Sequence, residues 1–142
     1  LNADAKISVP NYPTNGARAL RLLEAHGIIK LKEGELVTAR DIIENPYNIK
    51  VVELDAAQLP RTLDDVLASV INSNFAGQAG FVPSRDAIVM EDKDSPYANV
   101  IAVRKADHDS DKIKALVEAS QSEQVREFII NELEPKGVLP SF

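Results

Sequence analysis

Lys6-Ile7-Ser8-Val9-Pro10-Asn11-Tyr12-Pro13-Thr14-Asn15-Gly16-Ala17-Arg18-Ala19-Leu20 is the stretch on which the reading of this chain turns. Lys6 to Val9 is a short apolar run and predicts a buried strand. The residues after it turn the chain sharply and open a helix. Thr14 is placed to cap a helix running to about His26. Ala17, Leu20 and Leu23 share one face of that helix. Gly27, followed by Ile28, stands where a helix end favours a left-handed residue. A strand that turns sharply into a helix brings free backbone N–H groups and the positive end of the helix dipole to one edge of a sheet, which suits an anion. Arg18 falls on the first turn or so, where a guanidinium can hold a carboxylate in two parallel hydrogen bonds. The same residues also describe an ordinary capped helix with a surface arginine.

Working outward, Thr38 is placed to cap a short helix ending before Asn45-Pro46, because the residue before proline disfavours the helical region. Lys50 to Leu54 predicts a strand. Thr62-Leu63-Asp64-Asp65 has the form of a capping box opening a short helix, which leads into a strand at Ser69-Val70-Ile71-Asn72. Asn74 to Ala79 predicts one or two helical turns stopped at Gly80. Asp86 to Met90 and Asn99 to Val103 predict strands, the second rich in β-branched residues. Asp109 or Ser110 caps a helix to about Ser120 with Ile113, Leu116 and Val117 on one face. Ser122 caps another with Val125, Phe128 and Ile129 inward. Helices alternating with short strands up to about residue 103 predict an α/β fold with a mostly parallel sheet, followed by C-terminal helices.

Composition narrows the function. The 142 residues suffice for a sizeable core. A net charge of −6 without clustered Lys/Arg argues against nucleic acid as a partner. With no cysteine, disulfides, thiolate metal sites and cysteine nucleophiles are excluded. No apolar run is long enough to span a membrane.

In open α/β sheets ligands collect beyond the carboxyl ends of the strands. The polar residues there are Asn11, Thr14, Asn15 and Arg18, then Gln58 and Arg61, then Asn72 and Asn74, with Asn99 at a later strand start. Side-chain amides donate and accept, so such a set suits a zwitterion bearing a carboxylate and an ammonium. Amides are poor general acids or bases. Asn72 and Asn74 equally suit turn formation. His26 fits a helix C-terminus, His108 a solvated polar turn, and Asp64-Asp65 a helix start. No phosphate loop, nucleophile elbow or zinc motif occurs. No catalytic residue, metal or cofactor is therefore expected, and a binding protein is favoured over an enzyme.

Several runs together resemble the methionine-binding lipoproteins, the extracytoplasmic substrate-binding components of bacterial methionine ABC importers. They are Val9-Pro10-Asn11 through Leu20, Glu44-Asn45-Pro46 to Pro60-Arg61, Leu63-Asp64-Asp65-Val66, Val70-Ile71-Asn72-Ser73-Asn74-Phe75-Ala76, and Lys93-Asp94-Ser95-Pro96-Tyr97-Ala98-Asn99. The Gln121-Ser122-Glu123 helix start and the Pro140-Ser141-Phe142 ending also fit. The resemblance implies a two-lobed protein of the periplasmic-binding-protein type (type II) that holds its ligand between lobes and hands it to a membrane permease. It implies that residues 1–98 are the second lobe, and that 99–142 are a returning strand and helices that pack largely on a first lobe absent from this sequence, as is a lipid anchor. Arg18 matches the arginine that clamps the ligand carboxylate. Asn72 and Asn99 match asparagines that contact the amino acid's polar end, with Asn74 and Asn15 as neighbours. Tyr12 departs from the small acidic residue expected there, which leaves methionine, D-methionine and a methionine dipeptide all open as ligands. Without the first lobe the C-terminal apolar stripes would lack cover, and a homodimer of the chain is one way to hide them. An intracellular effector-binding domain of the same architecture is the alternative, and an enzyme on this fold a third.

Overall fold

β1 (Lys6–Pro10) lies at the centre of the sheet, and its sequence shows why. A parallel strand covered on both faces has no solvent side, so it reads as a continuous run rather than an alternation. Ile7, Ser8 and Val9 are all buried. β1 runs parallel to β4 (Lys50–Leu54) on one side and β5 (Ala68–Ser69) on the other, in the order β4-β1-β5. Lys6 is opposite Lys50, Ile7 opposite both Val51 and Ala68, and Ser8 opposite Ser69. β2 (Lys30–Leu31) and β3 (Ile42–Glu44) form a separate antiparallel ribbon. The computed structural model describes residues 4–91, 97–138 and 140–142, so the Lys93–Pro96 part of the motif quoted above lies outside the described residues.

α1 (Pro13–Ala25) starts one residue before the expected cap. Tyr12 takes the extended N-cap position and Pro13 is the first helical residue, where its missing N–H is no loss. Thr14 is therefore inside the helix. The far end closes as expected. Gly27 is left-handed at φ 68°, its N–H donates to the Glu24 carbonyl (2.8 Å), and the Ile28 N–H donates to the Leu23 carbonyl (3.0 Å). This satisfies two orphan carbonyls of the last turn. Ala17, Leu20 and Leu23 are buried in one cluster with Ile7, Val9, Ile29 and Ile49.

The Thr38 turn forms, although only Ala39–Asp41 is helical before β3 begins. The Asp41 carboxylate accepts from the Thr38 N–H (2.8 Å) and hydroxyl (2.9 Å), and these two bonds, backbone first, hold its carboxyl below the ordinary range. The helix expected after Thr62 does not form. Leu59–Thr62 is a 3-10 turn, and the Thr62 hydroxyl faces inward, donating to the Leu59 carbonyl (2.8 Å). A hydroxyl occupied there is not available to cap a following helix. α2 (Ser73–Gln78) matches expectation.

The chain divides into two compact units, Leu1–Gly80 and Phe81–Phe142. In the second, α3 (Pro83–Asp86) replaces the start of the expected Asp86–Met90 strand, and 87–90 is irregular. The Asp86 carboxylate pairs with Arg85 and also accepts from the Val82 N–H (2.8 Å), closing a helical turn there. The expected returning strand at Asn99–Val103 is not formed either. A strand satisfies its backbone only in a ladder, and among the described residues nothing pairs with this segment; Val100 is 83% exposed. α4 (Asp111–Ser120) and α5 (Glu123–Phe128) form behind Ser110 and Ser122 as expected, but Phe128, expected inward, is exposed, since nothing among the described residues covers it.

Candidate functional site

The parallel register sends the chain out of β1, β4 and β5 at one edge of the sheet. The Asn11 N–H, just past β1, still donates to the Leu54 carbonyl at the end of β4 (2.8 Å). α1 leaves this edge from β1, and α2 leaves it from β5.

Asn15 is the third residue of α1 and Arg18 the sixth, so Arg18 sits on the second turn; both are half-buried. The first bond of the helix is the Gly16 N–H to the Tyr12 carbonyl (2.7 Å), so Thr14 and Asn15 have no carbonyl four residues earlier within the helix to receive their N–H groups. Gly16 sets how closely α1 meets the strand. A Cβ there would lie 2.8 Å from the Pro10 carbonyl oxygen. Sequence reasoning passed over Gly16, although a glycine in the first turn of a helix that directly follows a strand is the signal of such an approach.

Asn72 occupies the N-cap of α2 with extended backbone (φ −63°, ψ 139°), yet its side chain makes no cap hydrogen bond. Its Oδ1 is buried and lacks a hydrogen-bond partner. A buried carbonyl in that condition costs ~1–3 kcal/mol, because it takes none of the helix N–H groups that ordinarily satisfy an N-cap asparagine. Asn74, on the first turn of α2, is exposed. Asn15, Arg18, Asn72 and Asn74 thus lie on the two helices that leave the same sheet edge. Asn99 belongs to the second unit, where it is exposed in irregular chain. Gln58 and Arg61, beyond β4, are exposed.

The arrangement offers amide oxygens, amide N–H groups and a guanidinium, groups whose chemistry suits a small zwitterion. No cluster of three or more His, Asp or Glu side chains able to hold a metal occurs among the described residues. His108 Nδ1 lies 3.0 Å from Asp109 on an exposed turn.

The pattern of the NlpA lipoprotein family matches residues 1–142. The chain belongs to this family. It is 49% identical over 131 residues to the D-methionine-binding lipoprotein MetQ of Salmonella typhimurium, an alignment that covers 89% of this chain and 48% of the relative. Among solved structures, a nutrient-binding protein from Burkholderia cenocepacia bound to methionine superposes with a TM-score of 0.90 at 50% identity, covering 100% of this chain and 61% of that one. A periplasmic substrate-binding protein of an ABC transporter from Coxiella burnetii superposes with a TM-score of 0.84 at 50% identity, covering 91% of this chain and 55% of that one. The family resemblance read from the sequence is thereby shown, and so is the fold class, an α/β unit of the periplasmic-binding-protein type with a parallel sheet and C-terminal helices. The chain spans about half the length of the curated NlpA-family relatives it matches.

Proposed function

We propose that this NlpA-family chain belongs to an extracytoplasmic, lipid-anchored substrate-binding protein that captures methionine, or D-methionine or a methionine dipeptide, and delivers it to the permease of an ABC importer. Residues 1–98 supply the second lobe, and 99–142 return toward the first. The observation that carries this reading is the buried, unpartnered Oδ1 of Asn72 at the edge from which the Arg18 helix departs. Turning of the half-buried Asn72 side chain toward the edge brings that oxygen to a ligand ammonium, and Arg18 takes the carboxylate. Asn15 and Asn74 flank the pair, and Asn99 is a ligand contact on the family resemblance alone. Holding a zwitterion in this way moves no proton, so the protein binds without catalysis. The relatives, described as lipoproteins and substrate-binding proteins, do not favour an intracellular regulator.

The test uses the protein as its gene encodes it in full. Mass spectrometry of ligand released on denaturation should find methionine or a relative, and calorimetry should rank L-methionine, D-methionine and the dipeptide. Asn72→Leu, which keeps the size and removes the acceptor, should weaken binding roughly tenfold or more, the value of a hydrogen bond to a charged group. Unchanged affinity in that variant, or no binding of any of the three ligands by the wild type, overturns the reading.

A further inference from the structure

Among the described residues, Ser8 is the one fully buried residue with a polar side chain, in the middle of the central strand. Packing alone would favour alanine or valine there. Its Oγ donates to Ser69 Oγ (2.7 Å) and lies 2.9 Å from Thr62 Oγ1, and Thr62 in turn bonds the buried Leu59 carbonyl. Three hydroxyls from β1, β5 and the 59–62 turn thus meet inside the unit.

β5 needs such a tie. It has two residues, flanked by ladder bonds from the Leu67 N–H to the Lys6 carbonyl and from the Val70 N–H to the Ser8 carbonyl (both 2.9 Å). So short a ladder specifies its register weakly. A slip of one residue turns every β5 side chain to the other face. A slip of two preserves the faces but places Leu67 or Ile71 opposite Ser8, removing the Ser69 hydroxyl from its partner at 0% exposure. Desolvated hydroxyls strongly disfavour that exchange. Three residues beyond Ser69 stands Asn72, whose position relative to Arg18 follows the register of β5 on β1.

We infer that Ser8, Ser69 and Thr62 are positioning residues for the ligand site: their hydroxyl cluster locks β5 in register and so places the Asn72 amide opposite the Arg18 helix. The inference rests on the methionine-binding reading above. Its test compares Ser8→Ala, Ser69→Ala and the hydroxyl-retaining Ser69→Thr in the protein encoded in full. Three readouts are taken: methionine affinity by calorimetry, hydrogen exchange at the Leu67 and Val70 amides, and the urea midpoint. Ser69→Ala should lose affinity about fivefold or more, speed exchange at Val70 about tenfold and lower the urea midpoint, since Ser8 Oγ stays buried and loses its acceptor. Ser69→Thr should restore affinity and exchange to within about twofold of wild type. Unchanged exchange at Val70 in Ser69→Ala, or failure of Ser69→Thr to restore affinity, overturns the inference. Ser69 is only half-buried, so its variants decide the matter even where Ser8→Ala does not fold. A wild type that bound no methionine would overturn the binding reading alone, and exchange at Val70 would still decide the register lock.

Discussion

Arg18 and Gly16 have different parts at the carboxyl edge of the sheet. On the proposed reading Arg18 supplies charge, and its loss removes a charge-assisted partner from the ligand carboxylate. Arg18→Ala should weaken methionine binding by ~2–4 kcal/mol; a calorimetric change under threefold would remove the arginine from the site. Gly16 supplies proximity. In an exposed helix Gly→Ala stabilises by ~1 kcal/mol, but here the added methyl meets the Pro10 carbonyl at 2.8 Å. That neighbour is backbone and cannot swing aside, so strain of ~1–3 kcal/mol outweighs the propensity gain. Gly16→Ala should lower the urea midpoint, and a midpoint that rose would show that α1 yields freely. At this scale the polar residue types at the strand ends were legible and their geometry was not. Asparagine after an apolar strand marks a polar strand end, but the sequence carries no sign that the Asn72 oxygen stays uncapped and buried, because an N-cap asparagine ordinarily bonds its own helix.

Between elements, the clasp joining α1 to the start of the ribbon is electrostatic. Glu24 accepts from the Leu31 N–H (2.8 Å) and pairs with Arg21, whose guanidinium also donates to the Lys32 and Gly34 carbonyls (3.0 and 2.7 Å). The Leu31 backbone bond first, then Arg21, hold the Glu24 carboxyl below its usual range. A depressed folded-state value means the clasp stabilises at and above the ordinary carboxylate range and loses that contribution as pH falls through the lowered value. Glu24→Ala should therefore cost about 1 kcal/mol near neutrality, discounted for partial exposure. The gap to wild type should shrink in acid, and a gap that widened would reverse the sign. Elements were readable where one local rule dominated. The apolar run gave β1, Gly27 closed α1, whose N-cap lies two residues before the expected Thr14, and serines began α4 and α5. Reading failed where partners outside the segment decide. Thr62 looks like a cap but turns its hydroxyl to the interior, and Asn99–Val103 has strand composition without a ladder among the described residues.

Across the whole chain, burial is uneven. Every fully buried residue among those described lies at or before Ala76, whereas the second unit leaves Ile88 89%, Val100 83% and Phe128 55% exposed. With so little apolar surface removed from water, local opening there requires far less free energy than opening the first unit. Hydrogen exchange on the 142-residue chain should find slow amides in β1, β4 and α1 and fast ones throughout α4 and α5. Equal protection in the two units would show that the second has cover of its own. The central place of β1 has one more consequence, and it concerns time. β1 is made before either neighbour, and its pairings with β4 and β5 close only after Leu54 and Ser69 have been added. At ~5–20 residues per second, the roughly sixty residues of that interval keep the strand waiting for seconds, with both of its hydrogen-bonding edges open to other chains. Ribosome-stalled chains released at residue 60 should therefore associate or be captured by a chaperone, while those released at residue 80 should be protected from protease across β1. Equal protection at the two lengths would mean that the strand finds its place before its second neighbour exists.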